Sequence, residues 1–236
     1  MATPADVLDA VAFTGYGIVV VTGVAFTYYA VENYALDRME GHEDFWGYLT
    51  YLGVAVAVFG ASGLGLVAGA GRVVLAFSDV SLLFAIVFVA FAMREVYYDS
   101  ALAPPPEDRR VPLETLRAVE FGFVVVIAAE WVVVVALGET TVTAVVRGVG
   151  ALAFAAYGAA FSERLEALAH GTTMDTLRRH LVVVMVCATG VAVSGLVALV
   201  APNAVVESMS YVFLVLFGGL LVPPTIRLQQ SVASLA

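Results

Sequence analysis

Three charged residues stand where the surrounding sequence is soluble in lipid. Asp79 occurs in AFSDVSLLF, Glu130 in VIAAEWVVVV and Arg147 in TAVVRGVGA, while Glu207 and Tyr211 open the apolar run AVVESMSYVFLVLFGGLL. A charge at the centre of a membrane helix costs roughly 2.5–3.5 kcal/mol on insertion scales and tends to find a partner. At ~1.5 Å per helical residue, Asp79, Glu130 and Arg147 each lie about 10 Å in from the same side of the apolar layer. Both signs of charge therefore share one depth, and two arrangements suit them. One is a polar cavity or relay, closed by Glu207 and Tyr211 and joined by Arg72. The other is an ion pair of Arg147 with Glu130 or Asp79 that locks adjacent helices, since a short turn between the spans carrying Glu130 and Arg147 would bring those two together.

Other candidates carry less chemistry. Glu120 is placed to pair with Arg117 or Arg94, or to reach the membrane surface with its carboxylate. The motif GASG at Gly60 to Gly63 resembles the serine motif of rhomboid proteases, which needs a histidine at the same depth. Ser62 falls in one half of the bilayer whereas His180 falls in the other, with His42 and His170 in loops on that second side, so small-residue helix packing explains the motif better. GHED at Gly41 to Asp44 offers one imidazole among acids on a loop, too few ligands for a metal site. Tyr97 and Tyr98 beside Arg94 and Glu95 read as an interfacial anchor. Arg94, Glu95, Arg178 and Arg179 together form a candidate surface for a cytoplasmic partner. No catalytic residue, metal or cofactor is assigned.

The elements that must position these residues follow from composition. The 236 residues are 61% hydrophobic, far above the roughly 45–50% of soluble domains, which places the chain in lipid. The apolar periodicity predicts an all-α integral membrane bundle of seven transmembrane helices in one domain, spanning about 11–34, 45–70, 73–97, 112–137, 141–165, 181–200 and 204–227. Pro104, Pro105 and Pro106 mark an extended loop, Gly138 a helix stop, and Thr140 or Thr141 a cap for the fifth helix. The first apolar stretch follows the acidic MATPADVLDA rather than a basic segment, which predicts a retained helix rather than a cleaved signal. Cys187 lies inside a span and has no second cysteine to pair with.

Charge gives orientation and excludes some partners. With the N-terminus outside, Arg38, Arg94, Arg109, Arg110, Arg117, Arg164, Arg178, Arg179 and Arg227 lie on the cytoplasmic side and only Arg72 and Arg147 lie toward the outside, as the positive-inside rule requires. A formal net charge of −9 argues against nucleic acid. All 11 basic residues are arginines, and this lysine-free, acidic balance suggests a salt-adapted host, with a halophilic archaeon as the expectation.

Local sequence then suggests a family. The segment TVTAVVRGVGALAFAAYGAAFSERLEALAHGTTMDTLRRHLVVVM resembles the fifth helix, polar turn and sixth-helix start of the microbial (type 1) rhodopsins. APNAVVESMSY resembles that family's outer turn and the carboxylate opening its seventh helix, and WGYLTYLGVAVAVFG is similar to its second helix. The resemblance implies a seven-helix opsin-like bundle. It also implies where a chromophore lysine would stand: with Glu207 laid on the helix-opening carboxylate, that position falls at or near Gly219, and the preceding counterion aspartate falls at or near Val215. Neither residue is present. Met185, Ala188, Thr189 and Ala192 stand where the family's sixth helix carries bulky rings and a proline, and its Arg-Tyr-x-Asp-Trp pattern is missing around Asp79. Without an amine there is no retinal Schiff base.

The functional expectation is an opsin-like protein of the cell membrane that does not bind retinal covalently and serves as a sensor, signalling or partner-binding component. Its expected surroundings are the lipid bilayer and a membrane or cytoplasmic signalling partner, with self-association left open. A membrane enzyme using Asp79 or Glu130 as general acid on an isoprenoid or carotenoid is the alternative. A small-solute transporter ranks below it, because Pro223 and Pro224 lack a matching break in another span.

Overall fold

A computed structural model describes residues 4–37, 43–98, 105, 112–169 and 173–235. Every secondary-structure element among them is helical: α1 (Pro4–Asp37), α2 (Glu43–Val67), α3 (Arg72–Tyr98), α4 (Leu113–Leu137), α5 (Thr141–Ala169), α6 (Thr173–Val197), α7 (Asn203–Leu220) and α8 (Val222–Leu235). Among the described residues, seven helical spans are long and apolar enough to cross a membrane, α7 and α8 together forming the seventh over Asn203–Ala233. We call the end of the bundle at which α1 begins the upper end. Gly41 and His42 of the GHED cluster, Pro104, Pro106, Arg38, Arg109, Arg110 and His170 lie outside the described residues.

The helices run past the apolar stretches where polar residues satisfy their ends. The Thr140 hydroxyl caps α5 by accepting from the Thr143 amide at 3.2 Å. In return the Thr140 amide donates to the Thr143 hydroxyl at 2.8 Å, so two otherwise free donors are met at one helix start. Gly138 ends α4 with φ +83°, a backbone that favours glycine. Its amide donates to the Val134 carbonyl at 2.9 Å, closing the last turn. The predicted start of α6 at Leu181 is corrected to Thr173. Asp175 stands in its first turn and accepts from Arg178 and Arg179 one turn later, so TMDTLRRH is helical rather than loop. The seventh span also continues beyond its predicted end at Arg227. The helix is interrupted at Leu221, just before Pro223 and Pro224 remove two amide donors.

α3 is the central post, packed against α2, α4, α5 and α6. Its buried face runs from Ala76 to Glu95 and includes Leu82, Leu83, Ile86, Ala90 and Met93. At mid-depth the packing closes around α6: an added Cβ on Gly158 of α5 would lie 2.9 Å from the Met185 sulfur and 3.1 Å from the Ala90 Cα. α4 is held differently. Only Glu120, Ile127, Glu130 and Val134 are buried, a single narrow stripe that faces mainly α3.

Between helices surrounded by lipid there is no water to expel, so close approach of backbones supplies the attraction, and small residues permit it. Between α1 and α2 that approach is tight. A Cβ on Gly53 would fall 2.8 Å from the Thr27 amide nitrogen and 2.9 Å from its Cα, and one on Gly60 2.8 Å from the Val20 amide nitrogen. Gly63 faces the ring of Tyr16, so the GASG glycines serve helix packing. Replacing Gly53 by alanine is expected to cost about 1–3 kcal/mol through overpacking, read as a lower melting temperature in detergent. Gly122→Ala, where a Cβ meets nothing within 4 Å, should leave melting unchanged or slightly raised; equal losses at both sites would refute the packing account.

Candidate functional site: two charge networks joined by one helix

The upper network is built around Arg147 of α5. Its guanidinium is ion-paired with Asp79 of α3 and with Glu139 of the α4–α5 turn. Arg147 and Asp79 are buried, and Asp79 Oδ2 has no hydrogen-bond partner among the described residues. Gly195 of α6 makes room for the guanidinium, because a Cβ there would collide with the terminal nitrogen of Arg147.

A cleft of about 450 Å³ opens above Arg147 between α1, α5, α6 and α7. Tyr16, Glu139, Ser194, Glu207, Ser210 and Tyr211 line it with Arg147. Four of the five residues expected in the polar cluster thus belong to one region: Asp79 and Arg147 as its ion pair, Glu207 and Tyr211 on its far wall. Glu207 is exposed and Tyr211 half-buried.

Glu130 departs from the expectation. It is 5% exposed, yet neither carboxyl oxygen has a hydrogen-bond partner among the described residues, and Arg147 does not pair with it. The short turn does not hold α4 against α5. α4 leans on α3 instead and leaves an apolar groove of about 340 Å³, lined by Phe123, Ile127, Val145, Val149 and Phe154 among others. Arg72 also stays out of the cluster. Its Nη1 donates to the Ala136 carbonyl at 3.4 Å, meeting one of the free acceptors at the end of α4.

The lower network surrounds Arg94 of α3, which is fully buried. It pairs with Glu120 of α4 and, at 2.5 Å, with Glu95. Tyr157 of α5 donates to Glu120 at 2.7 Å, and Arg117 of α4 reaches Glu95 at 3.0 Å and Asp44 of α2 at 3.5 Å. The Arg94 guanidinium also stands 5.4 Å from the centre of the Phe91 ring, close enough for a cation–π contact. A second tie joins α5 and α6, where Arg178 donates to the Ser162 carbonyl and hydroxyl at 2.7 and 2.8 Å and pairs with Asp175 at 2.6 Å.

These contacts correct the expected partner surface. Arg94, Glu95 and Arg178 turn inward because each finds an opposite charge on its own or a neighbouring helix, and only Arg179, with 55% of its side chain exposed, faces outward. Glu139, Tyr16 and Tyr157 are additions that residue type alone did not single out. Glu139 sits in a turn that looks solvated, and the tyrosines occur among many in the chain.

The position equated with a chromophore lysine does not face the bundle interior. Gly219 and Val215 lie on the outside of the bundle, and an added Cβ on Gly219 meets nothing within 4 Å. Leu214, Phe217, Gly218 and Leu221 form the inward face of this span.

Removing one member of a buried ion network leaves the rest uncompensated, typically at about 3–5 kcal/mol. Arg94→Leu, which strands Glu95 and Glu120, should therefore lower unfolding stability by that order. The double variant Arg94→Leu/Glu120→Leu should recover part of it, and strictly additive losses in denaturant unfolding would show that the pair is not coupled. Compared with known protein families and with curated proteins, the chain matches none.

Proposed function

We propose that this protein is a non-photochemical sensor component of the cell membrane, opsin-like in layout, with its upper end outside. The host proposed from the lysine-free, acidic composition is a halophilic archaeon. The observation that carries the reading is the placement of the Asp79–Arg147–Glu139 tie at the floor of the upper cleft. An occupant of the cleft bears on the wall that Arg147 and its two carboxylates build from α3, α5 and the α4–α5 turn. Occupancy thereby acts on helix contacts, which is what a receptor requires. The scarcity of arginines at the upper end supports an external cleft. Arg179 at the opposite end supports a cytoplasmic signalling partner docking there.

The chain contains no lysine, so retinal has no amine with which to condense. Expression with all-trans retinal should give membranes without a red-shifted visible band, and a pigment resistant to hydroxylamine would overturn the non-photochemical reading. For the sensor itself, spin labels placed near the upper ends of α3 and α5 in a Cys187→Ala background should report a changed distance when Arg147 is replaced by glutamine. An unchanged distance would remove the proposed transmission step.

One observation favours a second reading. Glu130 lacks hydrogen-bond donors and stands one turn from Ile127, which lines the apolar α4–α5 groove. A carboxyl with no ion-pair or hydrogen-bond partner beside an apolar groove is the arrangement that a general acid acting on a polyene needs. Asp79 suits this role less, because it is already engaged by the Arg147 guanidinium. Replacing Glu130 by glutamine and finding membrane isoprenoids and carotenoids unchanged by chromatography would eliminate the enzyme.

A further inference from the structure

The upper cleft has an imbalance of charge that defines what it can hold. Its lining carries two carboxylates, Glu139 and Glu207, against one guanidinium, Arg147. Arg147 is already matched by Asp79 behind it and by Glu139 beside it. Glu207 forms no ion pair among the described residues and looks into the cleft from α7. The site therefore repels an anion despite its arginine.

The remaining lining narrows the class of cation. Thr140, Thr141, Ser194, Ser210, Tyr16 and Tyr211 contribute hydroxyls. The Ser194 hydroxyl donates its proton to the Val191 carbonyl at 2.6 Å, leaving its lone pairs to accept. Calcium needs six to eight oxygens at about 2.3–2.6 Å, and among the described residues no three His, Cys, Asp or Glu side chains converge in this way. A volume of about 450 Å³ with spaced acceptors and two phenol rings suits a larger, softer charge. Aromatic faces with a nearby carboxylate are the general means of holding an ammonium group.

We propose that the upper cleft binds a small organic cation carrying a primary or quaternary ammonium, with Glu207 as its counter-charge and Tyr16, Tyr211, Ser194 and Ser210 around it. The inference rests on reading this cleft as the input of the sensor, but binding and transmission are separable. Arg147 acts as a positioning residue: held by Asp79 and Glu139, it keeps one wall of the cleft in place without contacting the ammonium.

The test uses the full chain in lipid nanodiscs, with unfolding followed by tryptophan fluorescence. Tetramethylammonium chloride, ethanolammonium chloride and sodium chloride are titrated at matched ionic strength. The organic cations should raise the melting temperature saturably and sodium chloride should not. Glu207→Gln should weaken the apparent affinity about tenfold, the scale of one charge-assisted contact. Glu163→Gln, which removes an exposed carboxylate from the lower half of α5, should leave it unchanged. An equal rise with sodium chloride, or an equal loss in Glu163→Gln, overturns the proposal in favour of a general ionic effect. Glu207 is exposed, so its replacement leaves folding intact and the comparison readable. If the organic cations bind with these properties but the α3–α5 label distance stays fixed, the ligand assignment stands and the sensor reading falls.

Discussion

A charge in hydrocarbon must be met by an opposite charge or by hydrogen-bond donors, and the packing of this bundle follows from how that demand is met at two depths. α3 carries Asp79 near its upper end and Arg94 near its lower end. Each draws partners from different helices: α5 and the α4–α5 turn above, α4 below, with α2 and α5 joined to the lower network through Arg117 and Tyr157. The mid-depth between them is apolar and dense, with Ile86, Ala90 and Met185 essentially inaccessible. Dispersion and small-residue contact hold the centre while electrostatics fix the ends. The two contributions differ in kind: close packing is nondirectional, whereas the ion networks fix which helix stands beside which.

Much of this was legible from residue types. Runs of apolar residues long enough to cross hydrocarbon define the spans, because no soluble alternative can bury so much. The pairing of Arg147 with Asp79 was one of two readings, and Glu120 with Arg94 was another, because an isolated intramembrane charge has few available partners. Gly138 and Thr140 acted at helix ends as their chemistry suggests. What stayed hidden was lateral packing. Whether Glu130 meets Arg147 depends on how α4 leans, and its narrow buried stripe of Glu120, Ile127, Glu130 and Val134 is consistent with several orientations until α3 is in place. The start of α6 was hidden for another reason. Hydropathy detects lipid rather than helix, and TMDTLRRH is polar yet helical because Asp175 and its two arginines satisfy one another.

Closure of the bundle depends on a residue that hydropathy would ignore. Asn33 of α1 is fully buried and donates to the Tyr29 carbonyl at 2.7 Å and the Leu228 carbonyl of α8 at 3.0 Å. The first and last helices are thus stitched together below the interruption at Leu221. Prolines there remove amide donors. Beyond them the Leu221 carbonyl accepts from both the Thr225 amide at 3.2 Å and the Thr225 hydroxyl at 2.7 Å. The two halves of the last span are therefore tied by specific bonds on either side of the interruption.

The central post imposes a mechanical coupling. Asp79 and Arg94 are separated by fifteen positions on one unbroken helix, which is about four and one-sixth turns and leaves the two side chains within about 60° of each other around the axis. A rigid rod cannot rotate at one end alone. Any roll of α3 that draws Asp79 off its guanidinium sweeps Arg94 through the same angle, so the two layers of charge behave as opposite ends of a single latch.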